Sequence, residues 1–192
     1  MLRRVALVVV GVGAAAAAAA YASTPAVAPN PPPVPANKSR LIVIGYPLSP
    51  PTAHAHYLVD ELVKSNPSTL CNWYGFSWSF WKIAQEHTKS MDFAALGRPE
   101  LRGHDTSPFV YCVHNRTEAA QPGGGAAAKT TTTIELIGGD AELSKWVLAK
   151  AQANDSSFRV SSAAEALART PLTLASLSKA WHVNKGRPVV VE

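Results

Sequence analysis

The chain has 192 residues, is 47% hydrophobic and 16% charged, and carries a formal net charge of +5; this allows one ordinary domain with extensions. The positive charge forms no Lys/Arg run and no basic stripe interleaved with aromatics, which argues against a nucleic-acid partner. Cys71 and Cys112 make neither a CxxC pair nor a metal-ligand spacing, and the histidines show no HExxH-type pattern, so no metal and no cofactor are expected.

Residues 1–23 open with Arg3 and Arg4 ahead of an uncharged run at 5–22, VALVVVGVGAAAAAAAYA. As a helix this run spans about 27 Å, close to the ~30 Å hydrocarbon core, and it predicts a transmembrane helix in a lipid bilayer. Gly11, Gly13 and the alanines give that helix a smooth face for other membrane-protein subunits. Ala20-Tyr21-Ala22 resembles a signal-peptidase site, which keeps a cleaved secretory signal and a mitochondrial presequence open beside a retained anchor. No acidic residue precedes Asp60, and such a start suits organelle targeting or an anionic membrane surface. Residues 24–40 contain TPAVAPNPPPVPAN, a Pro-rich linker that favours extended polyproline II.

The span 41–153 reads as one domain. LIVIGY at 41–46 is a continuous apolar, β-branched run suited to a central strand covered on both faces. A turn follows, and AHAHYLVDELVKS places Ala55, Leu58, Val59 and Leu62 at helical spacing, with Thr52 as the expected N-cap. STLCNWY at 68–74 predicts a second strand and WSFWKIAQEHT at 78–88 a second helix. FVYCV follows Ser107-Pro108 as a third strand. The low-complexity stretch 115–129 reads as a hairpin loop, and TTTTIELI at 130–137 as a fourth strand. DAELSKWVLAKAQ predicts a last helix capped by Asp140, with Ala141, Trp146 and Leu148 or Ala149 toward the sheet. The order β-α-β-α-β-β-α implies an α/β fold: a four-stranded mixed sheet with helices on both faces. Residues 154–192 form a C-terminal extension with weak helical patterns.

Three motifs in this order resemble the glutaredoxin branch of the thioredoxin-like fold. IGYPLSPPTAHAH resembles the strand and turn that carry a CPYC-type motif. TSPFVY resembles the TVP segment, whose proline is cis and faces that turn. IELIGGDAEL resembles the strand, GG-[CS]-D turn and final helix. A looser similarity, through Trp78, Trp81, the SPFV strand start and the IGG turn, is to the thioredoxin-like N-terminal domain of divergent malate-dehydrogenase-like proteins; no dehydrogenase chemistry follows from it. The resemblance puts Ser49 at the nucleophilic cysteine and Thr52 at the resolving one. Thiol–disulfide exchange needs a thiolate, so this degenerate turn is not expected to catalyse it. The same resemblance maps glutathione-holding groups onto Ser107, Pro108, Gly139 and Asp140. These positions also build the fold, and glutathione is not expected as a ligand.

The aromatics Trp73, Phe76, Trp78, Phe80 and Trp81 are too dense for one helix face, which makes them candidates for a partner surface or, alternatively, for a packed core patch aided by the C-terminal extension. Together these features imply a non-catalytic, membrane-anchored thioredoxin-fold interaction protein. The expected setting is an accessory subunit of a mitochondrial inner-membrane assembly, such as a respiratory-chain complex or ATP synthase. The alternative is a glutathione-binding oxidoreductase or thiol sensor of the secretory pathway, using Ser49, Cys71 or Cys112.

Overall fold

The computed structural model describes residues 30–46, 49–76, 80–104, 106–118, 129–153 and 158–170, with the backbone alone at Phe80, Trp81 and Ile83. The first strand, β1 (Ser39–Gly45), lies inside a four-stranded sheet of order β2-β1-β3-β4. β2 (Leu70–Phe76) runs parallel to it, in register from Ser39 opposite Leu70 to Gly45 opposite Phe76. A parallel pair needs a crossover, and the sixteen-residue helix α1 (Pro50–Ser65) supplies it. On the other side β3 (Phe109–Glu118) pairs antiparallel with β1, and β4 (Lys129–Gly138) pairs antiparallel with β3. Helix α2 (Phe80–Thr88) and a short 3₁₀ turn (Pro99–Gly103) connect β2 to β3. Helices α3 (Asp140–Ala153) and α4 (Ser162–Arg169) follow β4.

The apolar run of β1 is continuous because the sheet has a core on each face. Leu41 and Val43 pack with Leu58, Val59 and Leu62 of α1, Leu143 and Val147 of α3, and Ala164 and Ala168 of α4. Ile42 and Ile44 turn the other way, toward Trp73, Ala84, Phe93, Leu101, Tyr111 and Leu136. Leu41 to Ile44 are each no more than 2% exposed. Burying an aliphatic side chain of this size contributes about 1.5–3 kcal/mol, so this tetrapeptide is the keel of both layers. The mixed sheet with its helices is compatible with a thioredoxin-like fold.

One part of the expected architecture is corrected. Among the described residues no helix is long and apolar enough to cross a membrane. The longest, α1, buries one stripe against the sheet and carries Glu61 and the exposed Lys64 off that stripe. The segment 5–22, where a transmembrane helix was expected, lies outside the described residues. In the region after 153, α4 falls where a weak helical pattern was expected, and it buries Ala164 completely in the core shared by α1 and α3. Ser161 caps that helix, accepting from the Ala164 N–H at 3.1 Å. Phe158 packs edge-on against Trp146, with ring centroids 5.4 Å apart.

Smaller shifts concern the caps and faces. Helix α1 starts at Pro50 with Ser49, not Thr52, as N-cap, since two prolines suit the first turn where N–H groups lack partners. Strand β3 continues to Glu118, into the stretch read as loop. Helix α3 buries Leu143 and Val147, four residues apart, while Trp146 and Leu148 of the expected face pack partly buried against the same core and Ala141 and Ala149 are exposed.

Candidate functional site

The six residues singled out around the degenerate turn meet at one end of the sheet, where β1 and β4 finish and α1, β3 and α3 begin. Ser49 sits at φ −76° and ψ 122°, extended as an N-cap requires, and its Oγ accepts from the Thr52 N–H at 3.4 Å. Thr52 is fully buried, and its Oγ1 lies 2.7 Å from Ser107 Oγ. Ser107 Oγ also accepts from the Tyr46 N–H at 2.8 Å, which ties the end of β1 to the start of β3. The Ser107–Pro108 peptide is cis. The buried Pro108 gives its carbonyl to His104 Nε2 at 3.1 Å.

This close meeting requires a glycine. A Cβ added at Gly45 would lie 2.4 Å from Thr52 Oγ1, 2.6 Å from Thr52 Cγ2 and 2.9 Å from Ser107 Oγ. Gly138 is needed for its backbone, since its φ of +120° is a conformation that side chains with a Cβ rarely adopt. The Gly139 N–H that follows donates to Glu142 Oε2 at 3.0 Å. That bond is one arm of a capping box at the start of α3. Asp140 is the first residue of the helix, and its carboxylate faces across to α1.

Its partner there is His54. His54 Nδ1 stands 2.7 Å from Asp140 Oδ1, and Nε2 stands 3.0 Å from the Leu167 carbonyl in α4. Both side chains are about one-tenth exposed. A carboxylate and a carbonyl can only accept, so the imidazolium form, with both ring nitrogens donating, is the one that satisfies both partners at once. The hydrogen bond to Asp140 accordingly holds the His54 pKa above its ordinary 6.5, against the opposing effect of burial. His54, absent from the residues expected at this site, clasps α1, α3 and α4 together. Only its partners identify it, and they lie 86 and 113 positions away in the chain.

The thiols lie at the other end of the strands. Cys71 is opposite Arg40, and Cys112 is opposite Leu41, near the start of β1. Burial pushes the Cys112 thiol up to about 12. The half-buried Cys71 accepts from the Arg40 Nε–H at 3.3 Å. Neither belongs to the turn, whose polar atoms are hydroxyls and backbone.

The proposed aromatic surface is also corrected. Trp73 is 2% and Phe76 8% exposed, so both belong to the interior. Trp73 stacks on His87 with centroids 5.2 Å apart, and Phe76 lies 5.7 Å from both His56 and Tyr74. A sheet with a core on each face absorbs aromatics pointing both ways. Trp78 lies outside the described residues, as do the side chains of Phe80 and Trp81.

No model of a known protein family matches the chain, and no curated protein matches it either. Among the described residues no group of three or more His, Cys, Asp or Glu is placed to hold a metal ion.

Proposed function

We propose that this is a glutaredoxin-like domain used as a non-catalytic interaction module, an accessory subunit of a protein assembly at the mitochondrial inner membrane. One observation carries the reading: the groups that would handle substrate are already spent on one another. Ser49 caps α1, and Thr52 and Ser107 bond each other. Gly139 gives its N–H to Glu142, and Asp140 holds His54. A tripeptide entering here would break these contacts before making its own, leaving buried polar groups to be re-paired. The basic, acid-free first 59 residues support the organelle.

The surface on which the reading places a partner is β4. It is an edge of the sheet, and Lys129 to Thr133 are exposed along it. An edge strand rich in threonine offers backbone groups to an extended segment of another subunit. Native electrophoresis after mild detergent extraction tests the proposal. The protein is expected to migrate within a larger assembly, and the double substitution T131K/T133K to release it. Migration solely as a free species of 20.3 kDa overturns the subunit reading. Saturable glutathione binding with turnover of a mixed disulfide overturns the non-catalytic one.

A further inference from the structure

At the opposite end of the sheet from the turn lies a cavity of about 200 Å³. Three basic residues from separate segments are among those that line it: Lys38 ahead of β1, Arg116 on β3 and Lys150 on α3. Among the described residues no aspartate or glutamate lines it. Among the described residues none of the three cations forms an ion pair. Lys38 Nζ donates to the Pro67 carbonyl at 3.2 Å, and Lys150 Nζ sits 5.1 Å above the Trp146 ring. Neither arrangement neutralises charge.

The carboxylate of Glu135, which feels the charge of Lys150, is hydrogen-bonded through both oxygens to other groups. Its Oε1 accepts from Trp146 Nε1 at 2.7 Å, and its Oε2 lies 3.3 Å from His114 Nε2. Those two bonds and the neighbouring Lys150 hold its carboxyl down at about 2, led by the bond to His114 and opposed by burial. His114 is fixed from its other side by Ser39 Oγ, 2.8 Å from Nδ1. The cavity wall is therefore built by the sheet, and Leu70 and Phe158 add an apolar part to it. Positive charge converging from separate rigid elements on a concave, partly apolar site is what a compact anion with a short carbon stem complements. The volume falls below the ~300–1,000 Å³ typical of drug-sized ligands, which restricts the occupant to a small molecule.

We propose that this cavity is a binding site for a small phosphate monoester, its dianionic phosphoryl group seated among Lys38, Arg116 and Lys150. The inference is independent of the function proposed above, since it uses none of the residues at the turn or the β4 edge.

The full chain titrated with inorganic phosphate and with glycerol phosphate, at constant ionic strength in chloride, tests it. Saturable one-to-one binding is expected, with amide NMR shifts centred on Ser39, His114 and Arg116. R116Q changes an exposed side chain and is expected to weaken binding about tenfold, as loss of one charge-assisted bond does. R116K is expected to retain most of it, and K82Q, on the exposed face of α2, all of it. Absence of saturation overturns the proposal. So does equal weakening by K82Q, which would indicate diffuse attraction. Binding to vesicles of anionic phospholipid with none to either soluble phosphate overturns it in favour of a lipid surface.

Discussion

The two ends of the sheet treat their polar groups in opposite ways. At the turn end, hydroxyls, an imidazole, a carboxylate and a glycine N–H are paired within the protein, and Gly45 lets them approach. At the basic end, three basic residues line a cavity that has no carboxylate among its described residues. The resemblance makes the turn the first place to look for chemistry, yet it is the end that has closed on itself. A site is therefore better recognised by groups left uncommitted than by its place in a fold.

The strongest way to break the closed end is G45A. Its added methyl would sit within 2.6 Å of two Thr52 atoms, an overpacking expected to cost about 3 kcal/mol, read as a lower urea midpoint with unchanged slope. An unchanged midpoint would mean that the turn is loose enough to admit a ligand. Next comes D140A, which removes the acceptor from His54 and is expected to cost about 2 kcal/mol near pH 6, by the same measurement.

The pH dependence of that loss has a definite sign. A pKa raised in the folded state means that folding binds protons to His54. Its contribution is fully present below the unfolded value near 6.5 and is lost as pH rises through the folded value. The difference between the native protein and D140A is thus expected to shrink above pH 6.5. A gap that stays constant up to pH 9 would show that His54 is held as a neutral ring.

A smaller effect is expected from S49A, about 0.5–1 kcal/mol in thermal or urea unfolding, because its capping bond is long at 3.4 Å. The smallest perturbation sharpens the other end. Titrating the native chain with a disulfide reagent at pH 7 should modify one thiol, Cys71, promptly. Cys112, 1% exposed and with its thiol raised to about 12, should react only on unfolding. Prompt reaction of both would indicate that the basic end opens.

Much of this fold is written locally in the chain. Leu41 to Ile44 form a central strand because the run lacks alternation, and the GG turn announces the start of α3. The cis Ser107–Pro108 peptide matches the expectation drawn from TSPFVY. What is not local could not be read. Trp73 seems to belong to an exposed cluster until His87 is seen to lie over it. His54 looks like a surface residue until Asp140 and Leu167 are brought to it. Lys38, Arg116 and Lys150 are unremarkable in sequence because strand register and the C-terminal turns of α3, not spacing, place them around one cavity. The turn residues were locatable by resemblance, but their mutual satisfaction depends on hydrogen bonds across the fold that no motif encodes.

The position of α4 bears on how the protein is made. Its alanines fill a core whose other walls, α1 and α3, are synthesised earlier, and its Leu167 carbonyl completes the clasp on His54. A nascent chain halted at Ala153 would carry a sheet with one face incompletely covered, exposing apolar surface until α4 emerges from the ribosome. Folding of the domain is thereby tied to completion of translation through Arg169, and a transcript truncated before that codon should yield a chain that aggregates or is degraded rather than a smaller working domain.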